Sequence, residues 1–203
     1  MLRVGLTGGL ASGKTFVGNA LQSLGCHLIQ ADELGHQVLL PGAEAYAAVV
    51  QEFGSDILDE HGAIVRRKLG TLVFNDPEKL ARLSAIVHPA VIRREQDQVA
   101  RIVEADPSAI VVVEAAILVE TGSYLHFDRL IVVVCSPEQQ LERAMHRDAY
   151  SKEEVIERIS RQLPLEEKRS VAHFVIDTSG TKENTLEQTR AVYQALRTLA
   201  VGE

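Results

Sequence analysis

The glycine-rich segment near residue 10 constrains the fold of this chain more than any other feature. It reads Gly8-Gly9-Leu10-Ala11-Ser12-Gly13-Lys14-Thr15 and matches the spacing G-x-x-x-x-G-K-[ST]. An apolar stretch at residues 2–6 comes directly before it, and the apolar residues of 17–24 recur with the spacing of one helical face. This order predicts a buried strand, a tight loop and then a helix.

Each fixed position of this loop has a chemical reason. Glycine lets the backbone curl so that successive N–H groups converge on phosphate oxygens, and the helix that begins near Lys14 directs its positive end to the same place. We therefore expect a nucleoside triphosphate here, with Lys14 at the β- and γ-phosphates and the Thr15 hydroxyl as a ligand of Mg²⁺. The expected ATP contacts of the loop and its helix are Gly8, Gly9, Ala11, Ser12, Gly13, Lys14, Thr15 and Phe16.

Apolar segments farther along the chain predict four more strands, at residues 26–31, 109–113, 130–134 and 174–176. Strands that alternate with helices are expected to form a parallel sheet. The prediction is therefore an α/β fold with a five-stranded parallel sheet flanked by helices. Sequences typical of helix N-termini predict helices after Ser136 and after Ser151, and a last helix is expected over residues 186–199.

Composition excludes several classes of protein. A formal net charge of −7 with 4% aromatic residues disfavours nucleic-acid binding, which needs basic stripes and stacking rings. The longest apolar runs fall far short of the roughly 18 residues that a membrane span needs, and we expect no signal peptide. Two cysteines, Cys26 and Cys135, cannot build a disulfide framework. We expect a cytoplasmic protein that binds small molecules and has neither a nucleic acid nor a membrane as a partner. The oligomeric state stays open.

Among proteins with such a loop, a small-molecule kinase fits best. The pattern D-x-x-G of GTPases occurs twice, at residues 32–35 and 59–62, but the guanine-reading N-K-x-D is absent from the sequence. The length disfavours a large motor or transporter ATPase. A kinase needs a group that orients the acceptor hydroxyl and a cationic lid that excludes water.

Four side chains are candidates for these tasks. Asp32 follows the second strand, where α/β sheets place their ligands, and would act as base, although it could also cap the next helix. Glu114 ends the third strand and is a candidate Mg²⁺ ligand or else a polar strand terminus. Arg143 and Arg147 lie four residues apart on one helix and are candidate ATP contacts. The alternative is that they belong to a helix face exposed to solvent.

Further along the chain, a series of residues follows the loop: Asp32, Arg66 with Leu69, His88-Pro89, Arg147-Asp148 and Gln162. Together with the loop, this series resembles the dephospho-CoA kinase family over nearly the whole chain. The loop is shared by many kinases, and the series is what discriminates this family. The resemblance implies transfer of the γ-phosphoryl group of ATP to the ribose 3′-hydroxyl of dephospho-CoA, the last step of coenzyme A synthesis, with Mg²⁺ as cofactor.

The resemblance also implies site residues. Asp32 would be the base or orienting residue, and Lys14 and Arg147 would complete the catalytic set. Arg66, His88 and Leu118 would bind the acceptor together with Asp32. From the residues themselves, two alternatives to acceptor binding stay open. Arg66 could be a charge on the surface, and His88 could be a hydrogen-bonded histidine in a turn.

The implied organisation is a single P-loop kinase domain. Its core would comprise residues 1–32, 107–135 and 164–203, with a helical acceptor-binding insertion at 33–106 and a helical lid at 136–163. The chain departs from the family pattern at Thr178, where the family tends to show Asn, and after Glu114, where a proline is missing. A nucleoside monophosphate or sugar kinase, and a regulatory protein that binds ATP without phosphorylating anything small, remain alternative functions.

Overall fold

The computed structural model describes residues 1–74, 76–148 and 151–201. Within the predicted lid, Ala149 and Tyr150 lie outside the described residues, as do the last two residues of the predicted core. The chain forms two compact units, one of Met1–Gln30 with Arg101–Glu203 and the other of Ala31–Ala100. The second unit therefore lies almost entirely within the segment 33–106 that was expected to bind the acceptor.

The first unit is built on a parallel sheet whose order is β2-β3-β1-β4-β5. Its strands are β1 (Leu2–Gly8), β2 (His27–Gln30), β3 (Ile110–Glu114), β4 (Arg129–Val134) and β5 (Phe174–Asp177). This confirms the predicted five-stranded parallel sheet. The first strand runs two residues beyond its predicted end because Gly8 still pairs with Val133 of β4. The second is shorter than predicted because Ala31 already begins a helix.

Helices cover the faces of this sheet. The first unit contains α1 (Lys14–Ser23), α6 (Pro137–Asp148), α7 (Lys152–Ser160), α8 (Leu165–Ser170) and α9 (Lys182–Ala200). Between the sheet and these helices lies a core in which Leu6, Val17, Leu21, Ile131 and Leu196 are fully buried. Each such side chain stabilises the fold by about 1.5–3 kcal/mol relative to an exposed position. The core therefore holds the loop between β1 and α1 on a rigid base.

The predicted helix starts after Ser136 and Ser151 are confirmed, and the last helix begins earlier than expected. The Ser151 hydroxyl accepts from the N–H of Glu154, whose side chain accepts from the N–H of Ser151. Helix α6 begins at Pro137, directly after Ser136. Helix α9 begins at Lys182, four residues before the predicted 186, because the Thr181 hydroxyl accepts from the N–H of Asn184 and caps it.

The second unit is helical and has its own core. It contains α2 (Ala31–Gln37), α3 (Tyr46–Phe53), α4 (Arg66–Phe74) and most of α5 (Pro77–Ala105). The cluster of buried side chains that forms this core consists of Val38, Ala45, Val49, Ile57, Leu69, Val73 and Ala90. No helix in the described ranges is long and apolar enough to span a bilayer.

His88 and Pro89 lie inside α5 rather than in a turn. The alternative that made His88 a turn histidine is therefore wrong. Pro89 has no N–H, so the carbonyl of Ala85 lacks the donor that a helix would normally supply. The helix nevertheless continues to Ala105, which a sequence pattern that treats proline as a breaker does not predict.

Both cysteines are free thiols buried in the first unit. Burial raises the pKa of the Cys26 thiol to about 12. Burial also raises the pKa of Cys135. Because the thiolate is the reactive form, both side chains behave as small apolar residues of the core.

Candidate active site

The glycine loop joins the end of β1 to the start of α1, as the sequence predicts. A Cβ on Gly8 would lie 2.3 Å from the carbonyl oxygen of Val133, and a Cβ on Gly9 would lie 2.2 Å from Nε2 of Gln140. Gly8 is thus required by the close approach of the β4 backbone, whereas a side chain at Gly9 would displace the end of the Gln140 side chain. Gly13 has a φ of 92° and Ala11 a φ of 54°, so the loop turns through the left-handed region twice.

A cavity of about 360 Å³ opens in front of this loop. It brings together most of the predicted ATP contacts and adds one residue, His146, that the sequence did not indicate. Its lining consists of Ala11, Ser12, Gly13, Lys14, Thr15, Phe16, Arg143, His146 and Arg147. The cavity therefore combines the amides at the start of a helix with arginines of the predicted lid, an arrangement suited to a polyphosphate.

Lys14 reaches back over its own loop. Its Nζ donates to the carbonyl oxygen of Gly9 at 3.0 Å and lies 3.5 Å from that of Gly8. Backbone carbonyls are weaker partners for an ammonium than a phosphate, which carries full negative charge. The lysine is thus held at the loop in a position from which it can turn to a bound anion.

The two predicted metal ligands, Thr15 and Glu114, are in contact. The Thr15 hydroxyl donates to Oε1 of Glu114 at 2.9 Å, and Gln30 donates to Oε2 at 3.2 Å. Glu114 is only 6% exposed, which argues against a simple polar strand terminus. Hydroxyl and carboxylate oxygens are hard donors of the kind that Mg²⁺ prefers, so the side chains present fit this ion.

Arg143 has a target that the sequence did not predict. Its guanidinium donates to both the hydroxyl and the carbonyl of Thr178, at 2.9 and 2.8 Å. The Thr178 hydroxyl in turn donates to the carbonyl of Ser12 at 2.7 Å. Arg143 therefore links the segment after β5 to the glycine loop while it also lines the cavity. The threonine that departs from the family pattern is the centre of this link.

The apex of the loop is held by two glutamines. Gln162 accepts from the N–H of Leu10 at 2.8 Å, and Gln140 donates to the carbonyl of Leu10 at 2.9 Å. The resemblance had singled out Gln162, whereas nothing in the sequence indicated Gln140. Both backbone groups of Leu10 are thus satisfied by side chains from the predicted lid.

A buried ion pair lies beneath the loop. Lys168 of α8 is completely buried, and its Nζ lies 2.6 Å from Oε1 of Glu120. The same Nζ donates to the carbonyl of Ala116 at 2.9 Å and to that of Gly8 at 3.4 Å. Sequence reasoning missed Lys168 because α8 is short and mostly charged, which is typical of a solvated surface helix.

The remaining predicted residues are distributed over both units. Asp32, Arg66 and His88 belong to the second unit, and all three are exposed. Arg66 approaches Nδ1 of His36 at 3.4 Å. Leu118, in the first unit, is 6% exposed and packs against Gly5, with its Cδ1 3.0 Å from where a Cβ on Gly5 would be. The acceptor-binding roles of these four residues stay predictions.

The fold and the loop define the class: the protein is a P-loop kinase. A family model described as dephospho-CoA kinase matches residues 2–184. The chain belongs to the dephospho-CoA kinase family.

Individual relatives agree with this assignment over nearly the full length of the chain. The dephospho-CoA kinase of Carboxydothermus hydrogenoformans is 41% identical over 191 residues, which cover 94% of this chain and 92% of the relative. The crystal structure of TT1252 from Thermus thermophilus has a TM-score of 0.84 at 30% identity and covers 96% of this chain and 97% of its own. The dephospho-CoA kinase from Campylobacter jejuni has a TM-score of 0.71 at 26% identity, with 97% of each chain covered.

Proposed function

We propose that the protein transfers the γ-phosphoryl group of ATP to the ribose 3′-hydroxyl of dephospho-CoA, which yields coenzyme A and ADP. The observation that carries this proposal is the cavity in which residues 11–16 of the glycine loop meet Arg143 and Arg147, in a chain of the dephospho-CoA kinase family. Both the donor and the acceptor are small molecules.

The triphosphate would lie along the loop, over the first turn of α1. Lys14 would exchange its contact with the Gly9 carbonyl for the β- and γ-phosphates. Arg147, which lines the same cavity, would offset negative charge on the group in transfer. Arg143 would orient the loop through Thr178 and contact ATP with the rest of its guanidinium.

Mg²⁺ is the cofactor that we propose for this reaction. The Thr15 hydroxyl would hold the ion, and Glu114 would bind it directly or through a water molecule. The bound ion supplies positive charge that neutralises the phosphate oxygens. Gln30, which donates to Glu114, keeps the carboxylate oriented toward Thr15.

The acceptor would be bound by the four residues that the resemblance implies: Asp32, Arg66, His88 and Leu118. Asp32 is the second residue of α2 and follows the last residue of β2 by two positions, and its carboxylate is exposed. It would accept a hydrogen bond, and then the proton, from the 3′-hydroxyl. No covalent intermediate is needed, because positioning and charge neutralisation account for catalysis of this kind.

The helical segment 136–163 would act as the lid. Its Arg147 lines the cavity, and its Gln140 and Gln162 hold Leu10. Closure over ATP and acceptor together would exclude water and so limit hydrolysis of ATP. We also propose a cytoplasmic location without nucleic-acid or membrane partners, in keeping with the two free cysteines and the acidic composition.

The direct test is incubation of the purified protein with Mg-ATP and dephospho-CoA, with coenzyme A and ADP measured by chromatography. We expect equal amounts of both products, none without Mg²⁺, and a severe loss in the Lys14→Ala variant. A panel of nucleoside monophosphates and sugars serves as the alternative acceptors. Preferential transfer to a member of that panel would indicate a different small-molecule kinase, and ATP binding without transfer to any acceptor would favour a regulatory protein.

A further inference from the structure

The buried ammonium of Lys168 has a complete set of acceptors. Its three N–H groups face Oε1 of Glu120, the carbonyl of Ala116 and the carbonyl of Gly8, at 2.6, 2.9 and 3.4 Å. Burial of a charge is costly unless it is paired and fully hydrogen-bonded. The side chain is completely buried, so this arrangement depends on all three partners being kept.

Those acceptors belong to the two loops that form the site. Gly8 is the last residue of β1 and the first of the glycine loop, and Ala116 lies two residues after Glu114. Glu120 also accepts from the N–H of Leu163, at the end of the predicted lid segment. One buried cation thus connects the loop that binds phosphate with the segment that follows the candidate metal ligand.

The carbonyl of Gly8 accepts from two lysines. Nζ of Lys168 is 3.4 Å from its oxygen, and Nζ of Lys14 is 3.5 Å from the same oxygen. When Lys14 turns to a bound phosphate, this carbonyl loses one of its cationic neighbours. A buried carbonyl without a donor is unfavourable, and the loop would relax toward any other donor within reach.

We propose that Lys168 is a positioning residue for nucleotide binding. It keeps the Gly8 carbonyl hydrogen-bonded after Lys14 has moved to the phosphates, so the loop retains one geometry with and without ATP. Glu120 compensates the charge and holds the ammonium in line with Gly8 and Ala116. This inference deepens the proposed function and rests on it only in that the loop binds ATP.

A purely structural ion pair would behave differently. Replacement of a buried pair by uncharged residues of similar size often restores or improves stability. The double variant Lys168→Met/Glu120→Gln removes both charges and keeps the volumes, but it leaves the Gly8 carbonyl without the ammonium. If the lysine positions the loop, this variant should therefore keep its stability and lose affinity for the nucleotide.

The second variant, Glu120→Asp, keeps both charges and shortens the carboxylate by one methylene, which draws the ammonium away from Gly8. Val192→Ala, on α9 in the core of the first unit, serves as a control for a general loss of stability. For each variant, circular dichroism gives the unfolding midpoint, and titration calorimetry gives the Kd of a non-hydrolysable Mg-ATP analogue. The wild-type assay with dephospho-CoA is run separately.

We expect the double variant to bind the analogue at least about 10-fold more weakly than wild type, Glu120→Asp about 3-fold or more, and Val192→Ala unchanged at a temperature where all are folded. If either Lys168→Met/Glu120→Gln or Glu120→Asp folds and binds the analogue like wild type, Lys168 has only a structural role. That result would overturn the inference. If the double variant does not fold, the affinity of Glu120→Asp for the analogue decides whether Lys168 positions the loop. Wild type that binds the analogue but does not phosphorylate dephospho-CoA would overturn the proposed function and leave this inference standing.

Discussion

The hydroxyl of Thr15 donates a hydrogen bond of 2.9 Å to the carboxylate of Glu114. This bond joins the first turn of α1 to the end of β3, through two residues that are 99 positions apart in the sequence. Parallel pairing of β1 with β3 places Leu6 opposite Glu114 and so brings the carboxylate beside the loop. The proposed magnesium site rests on this contact.

Thr15→Val keeps the shape of the side chain and removes the hydroxyl. We expect the Mg²⁺ concentration for half-maximal activity to rise at least about 10-fold, because one ligand is lost and Glu114 loses a hydrogen-bond donor. Initial rates over a Mg²⁺ titration at saturating ATP measure this. Thr15→Ser retains the hydroxyl and should stay close to wild type. An unchanged Mg²⁺ requirement in the valine variant would remove Thr15 from the metal site.

Asp32→Asn replaces the proposed base by a neutral side chain of equal size. We expect the affinity for the ATP analogue to stay within about twofold and kcat to fall by about 10²–10⁴, the usual contribution of a positioned base. Calorimetry and steady-state kinetics separate the two effects. Glu33→Gln, at the neighbouring exposed carboxylate, is the matched control and should leave kcat unchanged. Near-normal turnover of Asp32→Asn would refute the role of Asp32.

Arg143→Met removes both hydrogen bonds to Thr178. A hydrogen bond to a charged group contributes about 1.5–3 kcal/mol, so we expect the free energy of unfolding to fall by about 1–3 kcal/mol after partial replacement by water. The KM for ATP should rise as well, because Thr178, whose hydroxyl donates to Ser12 of the loop, loses the guanidinium that holds it in place. Urea unfolding and kinetics measure the two changes. Glu142→Gln, an exposed neighbour on α6, should alter neither.

The pKa of Cys26 predicts a loss of stability at alkaline pH. Burial raises this pKa from 9.0 to about 12 in the folded protein. Below pH 9 the thiol is protonated in both states and contributes no pH dependence. Between pH 9 and 12 the unfolded chain loses the proton and the folded chain does not, so the free energy of unfolding should fall by about 1.4 kcal/mol per pH unit.

Cys26→Ala isolates this effect, since tyrosines and lysines titrate in the same range. Urea unfolding of both proteins from pH 8 to 10.5 gives the difference in their free energies of unfolding. We expect the advantage of wild type over the alanine variant to shrink as the pH rises above 9. A constant difference would mean that the Cys26 thiol ionises as easily in the folded protein as in the unfolded chain.

Local sequence determined the elements that depend on short-range interactions. The glycine loop, the strand before it and the helix after it follow from residues within one segment, because backbone conformation and apolar periodicity are local properties. The cap at Ser151 was predictable for the same reason.

The early start of α9 was missed although Thr181 carries a signal, a hydroxyl three residues before the N–H that it caps. The alternative that placed His88 in a turn before Pro89 is wrong because α5 continues through this proline, and Ala90 beside it is buried in the second core.

Only the tertiary structure decided which distant groups meet. Sheet order placed Glu114 beside Thr15, and the fold directed Arg143 to Thr178, two contacts that no local pattern contains. Burial of Lys168 was equally invisible, since a lysine in a charged segment looks the same whether it faces water or a carboxylate. The sequence by itself thus determined that a phosphate-binding loop forms and where, because that requires neighbouring residues alone. The surroundings of the loop depend on chain segments more than 100 residues away, whose approach is set by how the whole sheet and its helices pack.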